Sequence, residues 1–184
     1  DNVVTIATML KDNGYHTYIA GKWHLGKAVS QLPGKRGFER SFIEADSGAD
    51  NWEHRPYMML YDKAYWFEQD QPVDSLPEDF YSSKFIVDKA REYIASNLKD
   101  GKPFFAYMAY TAPHWPLQAP KESIAKFKGW YDDGYEALYA KRFARQKALG
   151  LVPKDAAPID NARFNPRWNS LTAEQKAIES RRME

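Results

Sequence analysis

Apolar residues Val3, Ile6, Ala7 and Leu10 recur at three- and four-residue spacing, which predicts a short helix ended by Asn13-Gly14. The next run, "YHTYIA", is short and rich in aromatic and β-branched residues, the pattern of a strand. The same plan returns later in the chain. A helix is predicted from about Tyr81 to Leu98, with Phe85, Ile86, Ala90, Tyr93, Ile94 and Leu98 on one face and Ser82 or Ser83 as cap. "KPFFAYMAYTAPHWP" then reads as a turn, a buried strand and a loop. Helix followed by strand, twice over, points to an α/β fold. Each strand runs into a loop that carries a histidine, His24 after the first and His114 after the second. Ligands of open α/β sheets gather at the carboxyl ends of the strands, so both histidines are expected in one cleft.

Between the two units, residues 27–80 are rich in Gly, Pro, Asp and aromatics. They read as a long irregular excursion whose strand-like pieces "YMMLYD" and "AYWFEQD" are expected to pair as a hairpin. Such a length of irregular chain is hard to justify unless it serves a site. Beyond Leu117 the pattern is helical and charged in pieces, about 121–127, 134–149 and 172–183. The Pro-containing stretch "GLVPKDAAPIDNARFNPRW" separates the last two and is expected to be a surface linker or lid segment.

Composition narrows the function. With 184 residues, the chain is long enough to bury a core. Its 26 Lys and Arg nearly cancel 25 Asp and Glu, which removes the usual electrostatic argument for nucleic acid or an anionic membrane. The absence of cysteine excludes disulfides, thiolate metal sites and a cysteine nucleophile within these residues. The longest apolar run, "PFFAYMAY", is far short of the roughly 20 residues that span a bilayer. The chain begins in mid-pattern without the features of a signal peptide and stops inside a helical pattern, so it is expected to be an internal segment of a longer protein.

The string "GKWHLGKA" poses the chemical question. Gly21, Gly26 and Lys27 stand at the spacing of a phosphate-cradling nucleotide loop, but Ala28 replaces the Ser or Thr that would hold magnesium. Pro33, Gly34 and Gly37 interrupt the helix such a loop must open, so the nucleotide reading is set aside. Taken alone, Lys22 and His24 read as a solvent-facing lysine and a hydrogen-bonded histidine, and His114 alone says no more. His16 and His54 read as structural.

Read as whole strings, the pieces say more. "GYHTYIAGKWHLG" resembles a signature of the sulfatase family, "FFAYMAYTAPHWPLQAP" resembles that family's second histidine-bearing strand end, and "LPEDFYSSKFIVDKAREYI" resembles the helix before it. The likeness is greatest to bacterial arylsulfatases and runs from Val3 to the C-terminus. It implies a type I, formylglycine-dependent sulfatase whose fold is α/β, part of an alkaline-phosphatase-like sandwich with a central mixed sheet flanked by helices. Residues 1–184 would be an internal segment of the catalytic domain, with 27–80 as the excursion and 117–184 as a helical insertion.

The resemblance also implies roles. Lys22 would bridge sulfate and nucleophile as a fixed cation, His24 would act as base when sulfate is released, and His114 would contact the ester oxygen and favour departure of the alcohol. Lys22 and His114 would thus bind substrate, a small-molecule sulfate ester. The family's nucleophile motif, [CS]-x-P-x-R, is absent here; "SLPED" has Glu where Arg is required. The Asp and Asn ligands of its divalent cation, normally calcium, are also not found, so calcium and formylglycine would both lie outside this segment, in the rest of the parent catalytic domain. Asp132-Asp133 is not assigned to metal. A periplasmic or cytoplasmic bacterial location would fit the resemblance. The alternatives left open are a phosphonate or phosphate ester hydrolase of the same superfamily and a noncatalytic module that binds a sulfated ligand. Trp52, Tyr57, Tyr61, Tyr65 and Trp66 would either line an aryl or sugar pocket or form loop core.

Overall fold

In a computed structural model describing residues 3–159 and 165–184, strand β1, His16–Lys22, is nearly all buried. It pairs in parallel with β2, Arg40–Glu44, on one side and with β5, Phe104–Ala109, on the other. Antiparallel β3, Trp66–Glu68, and β4, Gln71–Pro72, complete a mixed sheet of order β4-β3-β2-β1-β5.

Alternation along the strands divides the core between the two sheet faces. Ile19, Ile43 and Phe67 join Ala7, Trp23, Leu32 and Phe38 on one face. Tyr18, Phe42 and Trp66 join Phe80 and Tyr93 on the other. Helix α1, Ile6–Asp12, is capped by the Thr5 hydroxyl, but only Ala7 of its predicted apolar face is buried, and Ile6 lies exposed. Helix α2, Ser82–Asn97, buries Ile86, Ala90 and Tyr93 as its periodicity requires, while Leu98 is left in solvent.

Three expectations need correction. The segment read as a largely irregular excursion carries β2, β3 and β4, three of the sheet's five described strands. The hairpin forms between Trp66–Glu68 and Gln71–Pro72, not with "YMMLYD"; Gln69 and Asp70, at φ 51° and 62°, make the tight turn that suits twisted strands. Strand β5 is half-buried rather than buried, because it stands at the sheet edge with Phe104 and Tyr107 about half exposed.

The chain divides into two compact units, Asp1–Gln118 and Ala119–Glu184. The second holds helices α3, Lys121–Ala125, α4, Gly134–Ala148, and α5, Ala173–Met183. Buried Trp168 anchors it, meeting the Tyr135 ring edge-on and donating its backbone N–H to Glu136. Asp132, one of the two unassigned acids, accepts a 2.6 Å hydrogen bond from Ser180 and so has a structural task. Residues 160–164 of the predicted linker lie outside the described residues.

Candidate active site

The carboxyl end of β1 is built by Trp23. Its backbone N–H extends the ladder to Glu44 O at 2.7 Å, and its indole N–H donates to Gln31 O at 3.0 Å while the ring is buried against Phe38. With Trp23 fixed below, Lys22 is the last strand residue and His24 the first exposed one. His24 sits at φ 53°, a left-handed conformation that costs a non-glycine residue roughly 1–2 kcal/mol. Neither the Lys22 ammonium nor the His24 imidazole has a hydrogen-bond or ion-pair partner among the described residues.

Glu44 ends the neighbouring strand in register with Lys22. Its side chain is fully buried; Oε1 accepts from the Asp46 N–H at 2.9 Å, and Oε2 has no partner. Burial pushes its pKa up to about 7, against the pull of the Asp46 amide and of the Lys22 charge. Asp46 has a buried unpartnered oxygen of its own and faces Lys27 at 3.8 Å, whose ammonium lies 3.8 Å from the centre of the Tyr65 ring.

His114 lies in the loop that follows β5. Its Nδ1 is 2.8 Å from the Trp115 carbonyl, and a carbonyl can only accept, so Nδ1 carries a proton and Nε2 is the nitrogen left for chemistry. Tyr57 meets the imidazole edge-on at 4.9 Å between centroids and holds Ser47 through its hydroxyl at 3.0 Å. Beneath the loop runs a buried polar network. Asn51 Oδ1 accepts from Ser82 at 2.5 Å and from Thr111 at 3.1 Å, and Asn51 N–H donates to Gln118 at 3.0 Å. Ser82 is therefore not the helix cap expected of it; its hydroxyl serves this network instead.

The register Gly21↔Ala109 brings the ends of β1 and β5 side by side. The loops bearing Lys22, His24 and His114 thus leave one edge of the sheet. His16 lies at the opposite end of β1, between Glu39 at 2.8 Å and Asp100 at 2.6 Å; the hydrogen bonds its ring donates to these carboxylates, Asp100 first, raise its pKa. His54 turns inward to the Ala64 carbonyl. Of the five aromatics singled out, Trp66 is core, Trp52 stacks on Tyr81, and Tyr61 and Tyr65 attend Lys27. Only Tyr57 among them lines the cavity of about 520 Å³ beside His114, with Asp50, Arg55, Pro56, Trp115 and Pro116. A cavity of about 650 Å³ in the second unit is larger, but it offers mainly α4 side chains such as Tyr139 and Phe143 and none of the predicted site residues. Sequence reasoning missed Glu44, Asn51, Ser82, Thr111 and Gln118, which no local pattern marks.

The defining pattern of the family described as Sulfatase matches residues 1–179. The chain belongs to the sulfatase family. It is 38% identical to an arylsulfatase of Klebsiella aerogenes and 37% identical to an uncharacterized sulfatase of Schizosaccharomyces pombe, in each case over all of this chain. It spans 39% and 34% of the lengths of these relatives. Among solved structures it is similar to Ps i-CgsB in complex with k-i-k-neocarrahexaose, with a TM-score of 0.58 and 27% identity over 67% of this chain and 29% of that one. The fold is also that of the putative sulfatase yidJ from Bacteroides fragilis, TM-score 0.51 at 20% identity, covering 72% of this chain and 30% of that one. The sheet and its helices are therefore part of the alkaline-phosphatase-like α/β sandwich. Among the described residues no group of three or more His, Asp or Glu side chains could hold a metal ion, and no helix is long and apolar enough to cross a membrane.

Proposed function

We propose that the full-length protein is a type I sulfatase that hydrolyses a sulfate monoester to alcohol and sulfate, and that Lys22, His24 and His114 act in its site. The observation that carries this reading is an uncommitted Lys22 and an exposed His24 at the end of β1, beside a strand end bearing His114, in a chain 38% identical throughout to an arylsulfatase. Residues 1–184 form a segment of the catalytic domain, with 117–184 as a helical insertion.

Each group has a chemical reason to be there. Cleavage of the S–O bond leaves negative charge on the departing oxygen while the nonbridging oxygens stay anionic. A cation aimed at them from a partly dehydrated strand end lowers the barrier, which is the task of Lys22. His114, with Nδ1 tied to the Trp115 carbonyl, presents Nε2–H when protonated and gives that proton to the leaving alcohol oxygen. His24 takes the proton released in the step that frees sulfate.

Formylglycine, in the family, supplies the oxygen nucleophile, and the free Lys22 and His24 fit its neighbourhood. A divalent cation, calcium by family resemblance, would need oxygen ligands that the described residues do not assemble. Those ligands are assigned to the rest of the protein.

The test is peptide mass spectrometry on the full-length protein together with turnover of 4-nitrophenyl sulfate. A formylglycine in a [CS]-x-P-x-R motif, with activity lost about 100-fold or more in Lys22→Ala, is expected. An unmodified Ser or Thr nucleophile, or undiminished turnover in the variant, overturns the reading.

A further inference from the structure

We propose that the cavity beside His114 receives the alcohol part of the substrate and selects a ring bearing a second anionic group, which Arg55 recognises. This rests on the sulfatase reading and names the substrate class of that site.

The position follows from His114. Its proton leaves through Nε2, and a general acid works only within hydrogen-bond reach of the oxygen it protonates. The alcohol must therefore lie against the surroundings of this imidazole. Tyr57 and Trp115, which touch this imidazole, also line a cavity of about 520 Å³, within the range of ordinary small-molecule sites. Two of its walls are aromatic. Tyr57 stands edge-on to His114, and Trp115 is 58% exposed, leaving indole surface on which a flat or pyranose ring can lie.

The charge preference comes from Arg55, whose side chain is 65% exposed. One terminal nitrogen donates to Asp50 Oδ2 at 2.5 Å, and the remaining donors have no partner among the described residues. Asp50 is 4% exposed and already well supplied with donors: Trp52 N–H reaches Oδ1 at 2.9 Å, and Gln118 Nε2 reaches Oδ2 at 2.7 Å. Burial alone would raise its pKa, but the donors from Gln118 and Arg55 outweigh burial and hold it down. Gln118 is fixed in turn by Asn51 of the network beneath the His114 loop. A buried, ionised carboxylate thus holds one edge of a guanidinium and leaves the rest free in the cavity. Such a fork matches a carboxylate or a second sulfate, bound in bidentate fashion. The Arg55–Asp50 pair is neutral as a whole, so recognition acts through directed donors rather than net charge.

The experiment compares 4-nitrophenyl sulfate with 3-carboxy-4-nitrophenyl sulfate on the full-length protein and its Arg55→Gln, Arg55→Lys and Trp115→Ala variants. The wild type is expected to favour the carboxylated ester by about 10-fold in kcat/KM, the scale of one charge-assisted contact. Arg55→Gln should lose that preference, with kcat/KM falling about 10-fold more on the carboxylated ester than on 4-nitrophenyl sulfate, and Arg55→Lys should keep part of it. Trp115→Ala should raise KM for both esters with kcat little changed. No preference in the wild type, or an equal loss on both esters in Arg55→Gln, overturns the proposal and leaves the sulfatase reading intact. If Arg55→Gln does not fold, a selective loss on the carboxylated ester in Arg55→Lys supports the proposal, and an equal loss overturns it. If neither ester is turned over, the sulfatase reading falls, and calorimetric binding of the carboxylated ester decides the subsite. Binding about 10-fold weaker in the Arg55 variant supports it, and equal binding overturns it.

Discussion

Glu44 carries a pH dependence that its strand neighbours cannot cancel. The carboxyl is fully buried and one oxygen has no donor, so folding favours the protonated form and raises its pKa to about 7 from 4.5. Between those two values the folded chain keeps a proton that the unfolded chain has released. Stability from this group is therefore complete below the unfolded pKa, declines as pH rises through the window and is lost above about 7, a loss of about 3 kcal/mol. Glu44→Gln keeps the shape and removes the charge. Thermal unfolding of the full-length variant and wild type at about pH 5 and about pH 8 should find the variant similar at the lower pH and more stable at the higher. An equal shift at both pH values would mean that Glu44 is held by packing alone. Nothing in "RSFIEAD" marks this group in advance: strand alternation places Glu44 on a core face, but its burial depends on Trp66, its register partner from a distant strand.

At the scale of elements, β1 depends on one glycine. Gly21 has φ +116°, and a Cβ there would drive into the carbonyl of Ala109 on β5 and crowd Ile86 of α2. Gly21→Ala adds a strained backbone to a backbone clash and should lower stability by about 3 kcal/mol or more. Denaturant unfolding of the full-length protein checks this, and an unchanged midpoint would show that β5 yields easily. Gly21 lies just beyond the run "YHTYIA" from which the strand is predicted, yet in the structure it is a strand residue in register with Ala109. β1 and α2 were legible because their periodicity is long or their burial uniform. β2 was not, since "RSFIE" carries a charge at each end and its partners on both sides are distant in sequence. The misplaced hairpin has a similar cause: "YMMLYD" is apolar by composition, yet Met59 and Leu60 are exposed and the run has no partner strand.

On the scale of the molecule, the helix–strand repeat was enough to bring two histidine loops to one sheet edge, because parallel neighbours necessarily share their carboxyl ends. What holds those loops was illegible. The hydrogen bonds linking Asn51 to Ser82, Thr111 and Gln118 join residues at least 31 apart, and such pairings have no local signature. On the proposed reading this chain would supply positioned cations and proton carriers for an oxyanion, but it holds no nucleophile of the family type: it has no cysteine, and its one approximation to the motif, "SLPED", lacks the arginine. The roles proposed for Lys22, His24 and His114 are to stabilise and shuttle charge, which does not replace an attacking oxygen. The 184-residue chain expressed alone is accordingly expected to release no 4-nitrophenol from its sulfate ester above a Lys22→Ala control, while the full-length protein does. Turnover by the isolated chain in metal-free buffer, abolished by Lys22→Ala, would place a working nucleophile inside these residues and require the roles of all three side chains to be reassigned.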